Sequence, residues 1–199
     1  MVIKMKLSLK EIIKIDYYRN FGTEFKVIKF FFNKKARLLI LFRILQCFYK
    51  IKKINFLLKI VRKVLRLYYN KLQFEFKIEI LPETQIKEGL YLPHPQNIII
   101  NPNTIIGKNC TILQDVTIGN NNYKGLNNLA ILGDSISIGA GTKIIGPVII
   151  GSNTIIGANS VVVKSFENPN QIIAGNPAKL IRKEANMYVH NQYLREKNE

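Results

Sequence analysis

From Ile80 to Val162 an aliphatic residue returns every six positions, and that period leaves a chain few ways to fold. The series runs Ile80, Ile86, Leu92 and Ile98, then Ile100, Ile106, Ile112 and Ile118, then Leu132, Ile138, Ile144, Ile150, Ile156 and Val162. An α-helix repeats near 3.6 residues and a lone strand near 2, so a period of six must count a larger unit, one short strand with its turn. Three such units close a triangular coil. Stacked coils carry the aliphatic side chains one above another in the interior. Gly often follows the aliphatic residue, as at Ile106-Gly107, Ile138-Gly139 and Ile156-Gly157, and supplies the backbone freedom that a corner needs. The predicted fold is mainly β, a parallel β-helix occupying residues 78–183.

The period slips twice, first between Ile98 and Ile100. The second slip separates Ile118 and Leu132 by 14 residues. Its insert, Asn120 to Asn128, is rich in turn formers and is expected to project from the prism as a loop.

Charge divides the chain in two. Residues 1–77 carry 20 Lys and Arg against 4 acids, a net +16, whereas residues 78–199 carry 10 against 9, a net +1. The basic half alternates apolar and cationic residues at helical spacing. Leu38, Leu39, Phe42 and Leu45 run beside Arg37 and Arg43, while Leu57, Leu58, Val61, Leu65 and Tyr68 run beside Lys59, Arg62 and Lys63. Two amphipathic helices are predicted, parted by residues 50–55, within a basic helical region 1–77. Neither apolar stretch reaches the roughly 18 to 20 uncharged residues of a membrane span. Such helices suit packing against the repeat domain, or peripheral association with an anionic membrane surface. No nucleic-acid-binding motif accompanies the charge, and nucleic acid is not an expected partner. No secretory signal is visible, so the expected location is cytoplasmic, at the inner face of the membrane in the peripheral reading. Residues 184–199 form a polar tail that includes His190.

Chemistry enters at His94, in Leu92-Pro93-His94-Pro95. Its hexad starts at Leu92, which places the imidazole near a corner of the prism and directs it outward. An imidazole titrates near neutrality and can take a proton from an alcohol as that alcohol attacks an electrophilic carbon. Cys47 and Cys110 are too few for a disulfide framework, and Cys110, in the small-residue place of its hexad, reads as buried and inert.

The segments Ile106-Gly107-Lys108-Asn109-Cys110-Thr111, Ile138 to Gly146, and Ala174-Gly175-Asn176-Pro177-Ala178-Lys179 resemble the left-handed β-helix acyltransferases of the hexapeptide-repeat family. The closer likeness is to serine acetyltransferases and to their relatives that O-acetylate bacterial sugars and polysaccharides. The resemblance implies a left-handed coil, acetyl-CoA as acyl donor without a metal, and a homotrimer with sites between subunits. His94 matches the family's general base. Ala140 and Ala158 would lie along the pantetheine arm, Lys164, Lys179 and Arg182 would meet the phosphates or adenine, and Asn127 and Asn128 at the end of the loop would contact the acceptor.

One departure bears on that acceptor. Serine acetyltransferases carry an acid before the catalytic histidine and an Arg-His pair at the end of the loop. The matching positions here are Pro93, Asn128 and Leu129. An amino-acid zwitterion would lose charged partners, so the sequence favours a neutral hydroxyl, such as a sugar of a surface polysaccharide, over L-serine as the alternative. A non-catalytic β-helix scaffold is the remaining alternative. A β-helix carbonic anhydrase is excluded because only His94 of the three zinc histidines it would need lies in the repeat. A nucleotidyltransferase fused to a β-helix is excluded because residues 1–77 are too short for a nucleotide-binding domain.

Overall fold

The computed structural model describes residues 7–51, 53, 55–121 and 129–183. Asn127, Asn128 and His190 lie outside them. Four helices come first: α1 (Leu9–Phe21), α2 (Val27–Phe32), α3 (Lys34–Lys50) and α4 (Phe56–Phe76). Their ends are set locally. Ser8 and Glu11 form a reciprocal capping box at the start of α1, and Gly22 closes that helix at φ 63°. Asn33 and Asn55 accept the Ala36 and Leu58 amides at the starts of α3 and α4. The break at residues 51–55 falls where the sequence placed it, whereas α1 and α2 are additional to the two predicted helices.

The strands are β1 (Glu79–Ile80), β2 (Gln85–Ile86), β3 (Ile99–Ile100), β4 (Ile105–Ile106), β5 (Thr111–Ile112), β6 (Thr117–Asn120), β7 (Ala130–Leu132), β8 (Ser137–Ile138), β9 (Lys143–Gly146), β10 (Val148–Ile150), β11 (Ile155–Ile156), β12 (Val161–Val162), β13 (Gln171–Ala174) and β14 (Lys179–Lys183). They form three sheets, the faces of a prism. The first is β1-β3-β6-β9-β12, the second β2-β4-β7-β10 and the third β5-β8-β11-β13-β14. Pairing is parallel throughout except between β13 and β14. Register holds the periodic residues in columns: Ile80 pairs with Ile100, Ile100 with Ile118 and Ile118 with Ile144. All four are buried, and each contributes on the order of 2 to 3 kcal/mol of apolar burial. The likeness to solved structures described below gives the coil its left hand.

The helices close the lower end of the prism. Asp16 of α1 pairs with the Arg43 Nε of α3 at 2.6 Å, both buried, and accepts the Gly89 and Leu90 amides of the first coil. Arg43 also donates to the Ile86 and Lys87 carbonyls, so its charge is fully engaged where water cannot reach it. From α4, the Tyr69 hydroxyl donates to Ile80 O and the Gln73 Oε1 accepts the Ile80 amide, each at 2.8 Å. The edge that β1 would otherwise present is thereby satisfied by side chains.

The inner face of α4 is Leu65, Tyr68, Tyr69, Leu72, Gln73 and Phe76. Of the apolar residues predicted to bury there, Leu57, Leu58 and Val61 are exposed instead. Here α4 extends past the core it packs on, and periodicity alone does not say where that core stops.

Candidate active site

Where the third face turns into the first, each coil presents one corner, and these corners stack into a single edge. Backbone hydrogen bonds fix the order. Asp115 N donates to Gln96 O, Gly141 N to Gln114 O and Asn159 N to Ala140 O. Reading up the edge gives His94, Gln114, Ala140 and Ala158. With neighbouring strands about 4.8 Å apart, the edge runs roughly 14 Å from the first to the last.

His94 is exposed at the bottom of this edge. The first coil has a longer corner there than the coils above: six residues, 93–98, separate Leu92 from Ile99, against four, 113–116, separating Ile112 from Thr117. This is the first slip of the period. Two extra residues let the segment bulge, with Asn97 in the left-handed region at φ 53° and its Nδ2 held by Asp115 Oδ1 at 2.9 Å. Pro93, His94, Pro95, Gln96, Gln114 and Phe76 line a cleft of about 350 Å³. Among the described residues no carboxylate lines it.

The segment leading to His94 is held from below. Asn20 of α1 accepts the Leu92 amide and donates to Leu90 O. Arg19 donates to the carbonyls of Gly89 and Cys110 and to the Thr111 hydroxyl, and its burial lowers its pKa. Lys35 of α3 donates to Pro93 O at 3.3 Å, with its ammonium over the rings of Phe21 and Tyr91. Burial lowers its pKa to about 8. Above His94, Gln114 turns toward the same cleft, and its Oε1 is buried without a hydrogen-bond partner. Such an acceptor costs free energy until a donor meets it. Sequence reasoning did not single out Gln114, Asn20 or Lys35.

Further up, the edge is narrow. Ala140 and Ala158 carry the smallest side chains that still have a Cβ, and Gly139 passes so close beneath the next coil that a Cβ there would lie 2.5 Å from the Ala158 nitrogen. At the top, β14 folds back on β13 so that Lys179 stands opposite Ala174 and Arg182 opposite Ile172. Both cations are exposed at the upper end of the third face. Lys164 is elsewhere, beyond β12 where the first face turns into the second, with its ammonium 5.4 Å from the Phe166 ring centre. On that same side the first face, at β6, gives way to the second, at β7. One edge thus gathers His94, Ala140, Ala158 and Lys179, and another carries Lys164.

Cys110 is fully buried, and burial raises its thiol pKa to about 11. A larger groove of about 830 Å³ lies between α3 and the second face, around Arg43, Gln46, Thr84, Gln85 and Ile105. It holds neither histidine nor cysteine, and the Arg43 guanidinium at its wall is already spent on backbone carbonyls.

Residues 130–164 match a family model described as bacterial transferase hexapeptide (six repeats). The chain is similar to serine acetyltransferases. It is 35% identical over 132 residues to the mitochondrial serine acetyltransferase 3 of Arabidopsis thaliana, covering 66% of this chain and 34% of the relative. To the serine acetyltransferase of Escherichia coli K12 it is 32% identical over 114 residues, covering 57% and 41%. The chain therefore spans between a third and about two fifths of these relatives. Among solved structures, serine acetyltransferase from Neisseria gonorrhoeae superposes with a TM-score of 0.70 at 26% identity, over 90% of this chain and 68% of that one. The Brucella abortus enzyme in complex with coenzyme A gives 0.67 at 25%, over 89% and 67%.

Proposed function

We propose that the protein is an acetyl-CoA-dependent O-acetyltransferase. The observation that carries this reading is the single edge on which an exposed histidine, an unpartnered buried amide oxygen and two alanine corners follow one another. His94 takes the proton of the acceptor hydroxyl as its oxygen attacks the thioester carbonyl. The new ester C–O bond forms, the C–S bond breaks, and the proton passes from the imidazolium to the departing thiolate. No acyl-enzyme is needed, because among the described residues no Ser or Cys nucleophile lies beside a base. Alignment of the two substrates supplies much of the rate.

The acyl donor fits the edge by shape and charge. Ala140 and Ala158 allow an extended arm to reach backbone amides and carbonyls, Gln114 Oε1 awaits an N–H or O–H donor, and Lys179 and Arg182 suit phosphates at the upper end. Lys164 sits on the other edge, and by the family resemblance it belongs, with Asn127 and Asn128, to the same site when three prisms assemble side by side, each lending its Lys164 edge to its neighbour's histidine edge. A homotrimer is therefore part of this reading.

The acceptor named for the relatives is serine, and that similarity supports L-serine more than the polysaccharide sugar favoured by the sequence alone. A neutral sugar hydroxyl is kept as a second reading on one observation: Pro93 precedes His94, and the described residues of the cleft offer no carboxylate to an ammonium group. Release of CoA thiol from acetyl-CoA, measured with L-serine and in parallel with nucleotide-sugars, decides between them. His94→Ala should abolish turnover, by about 10²-fold or more, while acetyl-CoA binding persists. Turnover near the wild-type level in that variant would remove His94 from the mechanism.

A further inference from the structure

The first half of α4 stands clear of the core with an apolar stripe facing outward. Phe56 is 78% exposed, Leu57 67%, Val64 59% and Leu67 61%. Spacings of seven and three residues put the last three on one side of the helix, and Ile60 and Val61 join them. Burying such side chains is worth on the order of 2 kcal/mol each, so an uncovered stripe of this length marks a contact surface. Among the described residues nothing covers it. The inner face of α4 is occupied by α3 and the first coil, while Lys59, Lys63 and Arg66 take a third side.

Nearby, the short α2 exposes Phe31 and Phe32, the latter by 83%. Arg37 joins it to α4, donating to Phe31 O while lying 6.0 Å from the Tyr68 ring centre. The charge of this stretch is of one sign, although Lys34 pairs with Glu75, Arg43 with Asp16 and Arg66 with Glu83. Residues 25–74 contain 14 Lys and Arg and no Asp or Glu. A second copy of this face would bring those cations together, whereas an anionic surface neutralises them.

We propose that α4, with α2 beside it, docks the protein on an anionic lipid surface, the apolar stripe entering the headgroup boundary and the flanking cations meeting lipid phosphates. No helix among the described residues is long and apolar enough to cross a membrane, so the contact is peripheral. The inference is independent of the acceptor and of His94, because its readout is binding alone.

The test is co-flotation of the full chain with phosphatidylcholine vesicles, with and without phosphatidylglycerol. Binding should require the anionic lipid and weaken with salt. Leu57→Glu with Val64→Glu should abolish it while leaving circular dichroism and the melting temperature in place, since both side chains are exposed. Lys59→Gln and Lys63→Gln should each reduce affinity roughly fivefold. Absence of flotation at low salt, or flotation of the double Glu variant like wild type, overturns the proposal. So does an assembly in lipid-free solution that the double Glu variant dissociates, combined with no vesicle binding, because the stripe then joins copies of the chain.

Discussion

Lys35 shows how much a single side chain near the site depends on residues far away in sequence. Its ammonium reaches the Pro93 carbonyl, 58 positions on, and burial lowers its pKa to about 8. An unfolded chain keeps that proton to about pH 10.4, so between the two values the unfolded state binds more protons. The penalty for burying the charge is full below about pH 8 and is relieved as pH rises through that window. Wild-type stability should therefore gain on that of Lys35→Met between neutrality and about pH 9.5, as read from denaturant midpoints. Parallel curves would mean that the ammonium is not desolvated. His94 could be found in the sequence because it is one of two histidines and the repeat gives its register. Lys35 and Gln114 could not: one becomes a neighbour of the site only when α3 meets the first coil, the other only when the second coil stacks upon it.

Elements were legible in proportion to how apolar their buried faces are. The strands and α3 bury Ile and Leu at regular spacing and could be read directly. The buried residues of α1 are Ile15, Asp16, Tyr17 and Arg19, half of them charged, and a hydrophobic period is absent there because the helix docks through hydrogen bonds to the first coil. At six residues α2 is too short for any period to register. In α1 the decisive group is Asp16, which accepts from Arg43, Gly89 and Leu90 together. Asp16→Ala should destabilise the fold by about 3 to 5 kcal/mol, because Arg43 is left charged and buried with no counter-ion. Urea unfolding measures that loss, and a change below about 1 kcal/mol would place the pair in solvent.

At the scale of the molecule, the sequence shows one prism and the proposed chemistry needs more than one. The histidine edge and the edge that carries Lys164 lie at different corners of the same coil set, so a monomer cannot bring them to one substrate. Sedimentation velocity should therefore give three times the mass of the 22.9 kDa chain. A monomer active at full rate would confine the site to the His94 edge. The prism itself has no intrinsic length. Any parallel coil offers its open strands to the next, and an unguarded end would accept another molecule as readily as another repeat. In this chain α1, α3 and α4 satisfy the lower edge, and β14 runs against the direction of the strands below it and gives the top of the third face the wrong hydrogen-bonding pattern for a further coil. The protein thus encodes where its own growth stops, and a stack of coils that could polymerise into a fibre remains a discrete particle.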